Sequence, residues 1–350
     1  MLSTVTMSRV LIAGAGITGA VTASMLKQQM PPDSSLQVWD KSCGAGGRMS
    51  TSRSPNDSNC TVDLGAQYIT SNVEDFKLHE RLYTELQTAG IFQRYDERIE
   101  NDRFTAPDAK QFVTPKGISS LVKHFLNKSE SEVKYNQQIN DLSIENDKWK
   151  VTNHNGQSEF FDAVILTMPV PQILQLQGSL PNILAEKPDI KEKLEKVEYS
   201  SRFAIGVYFD KDATIDIPWT SKYIEGDPCI RYVSIDSKKR NSDSAPSVAV
   251  HAHVPFSLKH LEETKEEIGT KHLLPHLYEL LPELPQPSAT KFHKWRYSQV
   301  YKNYEGTPGA IVLNEKPLLI AAGDAFVAVS KFDGCVKSAT AATQLAQSRL

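Results

Sequence analysis

Three glycines near the start of the chain have the spacing that binds the phosphates of a dinucleotide. Gly14, Gly16 and Gly19 form a G-x-G-x-x-G sequence between an apolar run and a helical pattern. The first glycine allows a tight turn, the second lets the backbone approach a pyrophosphate, and the third lets helix and strand pack closely. Asp40 follows at about the 20-residue distance expected of a carboxylate that accepts hydrogen bonds from ribose. A glycine-rich turn without a nucleotide is the alternative for this motif alone.

A second glycine-rich loop favours the larger dinucleotide FAD over NAD. Residues 44–48 read Gly-Ala-Gly-Gly-Arg, and the arginine suits the far side of a longer cofactor. Gln67 and Tyr68 then place a polar side chain next to an aromatic one, which is suitable for lining a ring. Taken alone, the run over residues 63–68 is equally well explained as a strand and a turn.

The end of the chain carries a third feature of this kind. Gly323 and Asp324 follow an apolar run, and such a turn can hydrogen-bond a polyol chain such as ribityl. A helix that begins at Gly334 and Cys335 places its positive end where it favours negative charge on a reduced flavin ring. The use of both chain ends for one cofactor is typical of flavoproteins. An ordinary turn before a last helix is the alternative.

Candidate substrate residues lie in the middle of the chain. Aromatic side chains can stack on a flat substrate, and a histidine can contact a carboxamide or a phosphate; the candidates are Tyr223, His251, Trp295 and Tyr297. Core packing of the tryptophan and a satisfied core histidine compete with this interpretation. Arg202 and Arg231 are candidates for substrate phosphate, but structural ion pairs are the preferred explanation for both.

Length and composition indicate a globular protein of two domains. The chain has 350 residues, which is too long for one simple core, and a formal net charge of -3 argues against a nucleic-acid partner. The short basic run at residues 238–240 is expected to lie in a solvated loop.

The four cysteines are widely spaced, with no Cys-x-x-Cys pair. This spacing predicts neither a zinc site nor a disulfide framework, and it suggests a reducing compartment. We therefore predict no bound metal.

The sequence predicts no membrane span and no cleavable export signal. No uninterrupted apolar run approaches 18 residues. The apolar run at residues 10–13 is too short for a secretory signal, and cleavage after it would remove the first strand. These observations favour a cytoplasmic location.

Apolar patterning places these residues on an α/β framework. Strands are predicted over residues 8–13, 36–40, 133–135, 149–152, 163–166, 202–209, 230–235, 247–254 and 318–322. Helices are predicted over residues 17–30, 74–89, 117–126, 258–281 and 335–345, and a rigid proline-rich connector over 282–287. We predict a discontinuous Rossmann-type FAD-binding domain (1–75, 115–170 and 311–350) and an α+β substrate domain (76–114 and 171–310).

These motifs resemble the flavin amine oxidase superfamily, and within it the renalase family. The matching segments extend from the first strand to the last helix; they cover residues 10–19, 38–41, 46–49, 66–70, 115–120, 166–171, 199–202, 235–241, 294–299 and 333–335. The runs at 166–171 and 235–241 are the ones that indicate renalases in particular.

The resemblance implies a fold of the p-hydroxybenzoate hydroxylase type with non-covalent FAD. It also implies oxidation of the 1,2- and 1,6-dihydro isomers of NAD(P)H to NAD(P)⁺, with O2 reduced to hydrogen peroxide. By position, Thr18, Arg48, Gln67 and Tyr68 would contact FAD; the predicted cofactor-binding set also includes Lys41, Gly47, Val133 and Val336. Members of this family are commonly described as secreted, in contrast to the cytoplasmic location suggested above.

One departure from the wider superfamily bears on how the flavin is held. Monoamine oxidases attach it through the cysteine of a Ser-Gly-Gly-Cys-Tyr motif, which this chain lacks, and we do not assign that role to Cys335.

The residue types favour hydride transfer over acid–base chemistry. Loss of hydride from a misplaced dihydronicotinamide restores an aromatic pyridinium, so the enzyme mainly has to position the donor carbon. The chain has no His-Glu-x-x-His and no G-x-S-x-G motif.

A monoamine or polyamine oxidase is the alternative activity. A flavin-binding signalling protein, acting through exposed segments such as 182–193 and 236–247, is a third hypothesis. The sequence does not predict an oligomeric state.

Overall fold

The computed structural model describes residues 8–350, which form two compact units. The first unit contains residues 8–47 together with Val122–Glu198 and Val300–Leu350, and the second contains Arg48–Leu121 and Tyr199–Gln299. Residues 1–7, the start of the predicted first domain, lie outside the described residues. Each unit is assembled from separate stretches of the chain, and the ends of these stretches differ from the bounds given above for the two domains. Residues 48–75 and 115–121 group with the second unit and residues 171–198 and 300–310 with the first.

A six-stranded sheet forms the centre of the first unit. Its strands, in spatial order, are Ala310–Asn314, Leu318–Ala322, Ala163–Leu166, Arg9–Ala13, Ser35–Trp39 and Glu132–Lys134. All neighbouring pairs are parallel except the first. Most residues of its inner strands are apolar and buried, as expected for a parallel sheet covered on both faces. This arrangement confirms the predicted α/β Rossmann-type class.

Two long helices flank this sheet, Ile17–Lys27 and Phe332–Gln347, and they pack against each other. The unit also has a second sheet, in the order Ser158–Phe161, Lys148–Asn153, Ile139–Glu145 and Gln177–Gly178. Its shorter helical segments are Val170–Leu174, Leu180–Ala185, Pro188–Glu195 and the 3-10 turn Asp324–Phe326. Four elements lie at the passages of the chain from one unit to the other: Gly47–Met49, Ser119–Ser129, Glu198–Tyr199 and Val300–Lys302.

A five-stranded antiparallel sheet forms the centre of the second unit. Its order is Ser221–Tyr223, Ile230–Ile235, Ser247–Ala252, Arg202–Tyr208 and Ala289–Trp295. Its apolar core includes Phe203 and Val250 from the strands and Leu277 from a helix. The associated helical segments are Val254–Lys259, Lys265–Ile268, the π-helical turn Gly269–Leu273, Leu274–Leu280 and Asp236–Lys239.

The remainder of the second unit consists of short strands and two helices. A hairpin pairs Thr51–Arg53 with Thr61–Asp63. A three-stranded sheet contains Ile69–Ser71, Lys110–Val113 and Gln93–Arg94, and the helices are Val73–Leu78 and Glu80–Thr88.

Three predicted helices differ from the observed ones, one of them because a local cap was missed. The helix predicted over 74–89 is two helices that break at His79. The long one predicted over 258–281 is interrupted because Thr264 starts a new helix with a capping box. The last helix begins at Phe332, before the predicted start at Cys335.

Two further observations concern membrane spans and the state of the cysteines. No helix within residues 8–350 is long and apolar enough to cross a membrane. All four cysteines have free thiols: Cys43 is exposed, whereas Cys60, Cys229 and Cys335 are buried.

Candidate active site

Residues predicted to bind the cofactor follow the ends of neighbouring strands in the first unit. Gly14 comes directly after Arg9–Ala13, Asp40 after Ser35–Trp39, and Gly323 after Leu318–Ala322. These strands run parallel, so their carboxyl ends lie at one edge of the sheet. The chain continues from the first strand to one side and returns later on the other, and ligands of open α/β sheets bind at such a switch point.

The first glycine loop is held by close backbone contacts. Gly14 has φ of +117°, a conformation that side chains rarely adopt, and its N–H donates to the carbonyl of Trp39 at 2.7 Å. A Cβ on Gly19 would lie 2.0 Å from the Gly14 carbonyl oxygen. At Gly16, by contrast, a Cβ would meet no atom within 4 Å. Packing therefore explains Gly14 and Gly19, whereas Gly16 keeps the backbone open to a ligand, as a phosphate cradle requires.

Asp40 joins the glycine loop to the end of the second strand. Its carboxylate accepts hydrogen bonds from the N–H groups of Ala15 and Ser42, both at 2.7 Å. Each oxygen retains a further lone pair, so the contact with ribose stays a prediction.

The second glycine loop lies directly alongside the first. The N–H of Gly46 donates to the carbonyl of Ala15 at 2.9 Å, and Gly47 begins the 3-10 turn that contains Arg48. Lys41 is exposed, and Val133 lies on the neighbouring strand opposite Val38.

The C-terminal segment contributes a turn and a helix to the same unit. The N–H of Gly323 donates to Ser338 at 2.7 Å, and the buried Asp324 accepts a hydrogen bond from Ser330 at 2.5 Å. Gly334, Cys335 and Val336 lie within the first turns of the last helix and are buried or enclosed there. The described edge therefore has what a dinucleotide requires: an open glycine backbone, a helix amino end and a carboxylate.

In the second unit two of the four predicted substrate residues converge on one carbonyl group, that of Leu64. Trp295 donates its indole N–H to this oxygen at 2.9 Å, and Nε2 of His251 lies 3.1 Å from it. A carbonyl can only accept, so Nε2 of His251 carries the ring proton. Both residues therefore fix the backbone of the segment that contains Gln67 and Tyr68.

Gln67 is held by the same segment and by a lysine that sequence analysis missed. Its amide nitrogen donates to the carbonyl groups of Asp63 and Gly65, while its oxygen accepts from the ammonium of Lys239 at 3.0 Å. The His251 ring nitrogen lies 3.3 Å from the amide nitrogen. Because both groups are donors, we interpret this as packing.

Lys239 belongs to a buried cluster of four charged side chains. It lies 2.6 Å from Asp236 and 3.9 Å from Asp63, and Arg240 contacts Asp236 from the other side. Burial and the neighbouring Asp236 raise the pKa of Asp63. Although burial alone would raise it, Arg240 and Lys239 hold the pKa of Asp236 below its ordinary value.

The prediction of a solvated loop for residues 238–240 was therefore wrong for two of its three residues. Lys239 and Arg240 are each only 4% exposed, and only Lys238 faces solvent. The reason is the pair of buried carboxylates: a long basic side chain is buried when a charge partner is present. The family-like run at 235–241 was the one sequence signal for this cluster.

His251 is neutral throughout the ordinary pH range. Burial, followed by the nearby charges of Arg202 and Lys239, lowers its pKa to about 3. It fixes the Leu64 carbonyl, and it is not a group that exchanges protons near neutral pH.

A group of tyrosines extends the site from Tyr68. Its hydroxyl lies 2.8 Å from that of Tyr223, and the Tyr223 ring meets that of Tyr232 edge-on at 5.2 Å. Burial, together with the neighbouring Tyr223, raises the pKa of Tyr68. These phenols therefore stay protonated. Tyr297 is not part of the group and instead packs against Tyr199 at 5.5 Å.

Two arginines bring positive charge to the tyrosines. The Arg231 guanidinium lies 4.8 Å from the ring centre of Tyr223, and Arg202 donates to the carbonyl of Ala252 at 3.3 Å. Within residues 8–350 neither guanidinium is within ion-pair distance of a carboxylate, so the expectation of structural ion pairs was wrong. Burial, followed by the charge of Arg231, lowers the pKa of Arg202. The region therefore suits an anion.

Comparisons with known proteins agree with this geometry. The family described as "NAD(P)-binding Rossmann-like domain" matches residues 12–86, and "Flavin containing amine oxidoreductase" matches residues 97–345. Renalase of Mus musculus is 42% identical over 336 residues, which covers 95% of this chain and 97% of the mouse protein.

The chain belongs to the renalase family of flavin amine oxidoreductases. It is thus a flavin-dependent oxidoreductase. A crystal structure from Exiguobacterium, named as a protoporphyrinogen oxidase, superimposes with a TM-score of 0.71 and covers 99% of this chain and all of the other. At 13% identity that likeness shows the fold alone. Membership of the renalase family agrees with the resemblance in the 166–171 and 235–241 runs.

Proposed function

We propose that this protein is an oxidase with non-covalent FAD that converts the 1,2- and 1,6-dihydro isomers of NAD(P)H to NAD(P)⁺. The observation that carries the proposal is the Arg231 guanidinium over the ring of Tyr223, with the charge of Arg202 nearby and a histidine that is held neutral. Such a surface suits a substrate that has a flat ring and phosphates. It also suits a substrate that is oxidised by loss of hydride, because that reaction needs no proton acceptor.

Residues of the first unit would hold the cofactor. The open backbone at Gly16 and the amino end of Ile17–Lys27 suit its pyrophosphate, while Asp40 suits the ribose of its adenosine. Gly323 and Asp324 suit the polyol chain. Bound FAD would supply the hydride acceptor for the dihydronicotinamide and the electrons that reduce O2 to hydrogen peroxide.

Residues of the second unit would orient the substrate. Trp295 and Tyr223 offer ring faces, and the arginines offer charge for phosphate. His251 keeps the Leu64 carbonyl fixed and contributes no proton, because its pKa lies at about 3. The tyrosine hydroxyls keep their protons and can donate hydrogen bonds to a carboxamide.

A monoamine or polyamine oxidase is the second candidate, favoured by the match to flavin-containing amine oxidoreductases. Two observations weigh against it. The arginines repel an ammonium substrate, and the buried carboxylates of Asp63 and Asp236 are already engaged by Lys239 and Arg240.

Anaerobic mixing of the flavin-loaded protein with 6-dihydro-NAD tests the proposal. We expect the flavin absorbance to bleach and to return with air, with release of hydrogen peroxide. Spermine and benzylamine serve as matched amine probes and should leave the flavin oxidised. Bleaching by an amine and not by 6-dihydro-NAD would replace the proposal with the amine oxidase.

A further inference from the structure

Two histidines and a glutamate that the proposed function does not use lie together in the second unit. One ligand atom from each of His260, Glu263 and His272 lies within 4.8 Å of the other two. Nδ1 of His260 is 2.5 Å from a carboxylate oxygen of Glu263, and the two imidazole centres are 5.3 Å apart. His260 and His272 are half-buried, whereas Glu263 is exposed.

The strand Ala289–Trp295 fixes the backbone on both sides of this cluster. Lys294 donates to the carbonyl groups of Leu261 at 3.1 Å and Glu263 at 3.0 Å, which anchors the loop between the histidines. Gly269 begins the π-helical turn that contains His272, and a Cβ there would lie 2.0 Å from the ring of Phe292. π-Helical turns occur frequently at functional sites.

An aromatic ring restricts both imidazoles. Phe256 lies 4.5 Å from the ring centre of His260 and 5.5 Å from that of His272. Nearby lysines are paired with other glutamates: Lys271 with Glu267 at 3.3 Å, and Lys265 with Glu266 at 3.7 Å. Glu263 thus supplies the negative charge of the cluster, while the neighbouring ammonium groups have their own partners.

We propose that His260, Glu263 and His272 bind a zinc ion. Two imidazoles and one carboxylate are a ligand set that zinc takes, with a water molecule in the fourth position. The bonds from a tetrahedral zinc ion to its ligands are about 2.0–2.1 Å long. The ligand atoms of such a site lie closer together than the 4.8 Å within which these three atoms lie, so small side-chain rotations complete the site. Magnesium and calcium prefer all-oxygen sites and do not suit this set. The ion joins the end of Val254–Lys259 to the π-helical turn.

Equilibrium dialysis of the flavin-loaded, chelator-treated protein against Zn²⁺ tests the proposal. We expect one zinc ion per chain, unaffected by equimolar Mg²⁺. His272→Gln should weaken zinc binding by about a hundredfold or more, because loss of a ligand exceeds the roughly 10–100-fold cost of losing an outer-shell partner. Glu263→Gln should weaken it in the same direction. His272 is half-buried and Glu263 is exposed, so zinc-free thermal unfolding of both variants should match that of the wild type.

His276→Gln is the matched control. His276 also pairs with a carboxylate, Asp227 at 2.9 Å, but no third ligand joins them within the described residues. This variant should bind zinc like the wild type. Absence of saturable zinc binding, displacement by equimolar Mg²⁺, or unchanged zinc affinity in His272→Gln would overturn the proposal.

Discussion

The two candidate binding regions are held in shape by different kinds of interaction. The glycine-rich edge of the first unit is made of backbone: tight turns, a helix end and hydrogen bonds such as that from Gly14 to Trp39. The segment around Leu64 in the second unit is fixed by buried side chains, including Lys239 and His251. A site made of backbone is disrupted by a substitution whose Cβ has no room. A buried polar network is destabilised by the loss of one hydrogen-bond or charge partner.

Loss of one charge from the buried cluster should have the largest effect. Lys239→Met leaves Asp63 and Asp236 with Arg240 alone, and removal of one partner from a buried ion pair costs about 3–5 kcal/mol. Denaturant unfolding would measure this change in the free energy of unfolding.

Lys238→Met is the matched control for that experiment. Lys238 is exposed and makes one hydrogen bond, to the carbonyl of Ile217 at 2.8 Å. Its loss should cost no more than about 1 kcal/mol. Equal costs at the two lysines would show that the buried cluster does not hold the segment.

The same substitution at two glycines separates packing from ligand binding in the first unit. Gly19→Ala forces its Cβ against the Gly14 carbonyl and should lower the free energy of unfolding by about 1–3 kcal/mol. Gly16→Ala has open space and extended backbone, so stability should change by less than about 0.5 kcal/mol. Flavin retention on gel filtration should fall in both variants. Full retention in Gly16→Ala would refute the phosphate cradle.

The depressed pKa of His251 predicts a pH effect on stability. In the unfolded state His251 takes up a proton below its ordinary pKa of 6.5, whereas in the folded state it does so only near pH 3. Protonation therefore favours the unfolded state, and the free energy of unfolding falls as the pH is lowered between these two values. Relative to His251→Gln, the wild type should lose about 2 kcal/mol between pH 8 and pH 5. Parallel stability curves for the two proteins over this range would contradict a buried neutral histidine.

The arginines should affect substrate binding and not stability, and only for substrates with phosphate. Arg231→Met should raise KM for 6-dihydro-NAD about tenfold or more, since a hydrogen bond to a charged group contributes roughly 1.5–3 kcal/mol. The phosphate-free 6-dihydronicotinamide riboside should show no such change. Arg296→Met, at an exposed arginine paired with Glu262, is the control and should leave both KM values unaltered.

The two regions also differ in how far the sequence reveals them. The motif that contains Gly14 and Asp40 is local, so its spacing predicts both the turn and the strand that follow. The network around Leu64 depends on a backbone carbonyl and on Lys239, which lies far from it along the chain. The carbonyl has no sequence signature. The family-like run at 235–241 was the one signal for Lys239, and the basic residues 238–240 within it were taken for a solvated loop. His251, Trp295 and Gln67 were selected by type, but only tertiary structure brings them to one segment.

Stopped-flow reduction of the flavin tests the central claim most directly. The donor is 6-dihydro-NAD with deuterium at its reacting carbon, mixed anaerobically between pH 6 and pH 9. The account predicts a primary isotope effect and a rate that hardly changes with pH, because His251 stays neutral and the tyrosines stay protonated. Absence of reduction, or a rate that follows the titration of a protein group, would contradict it.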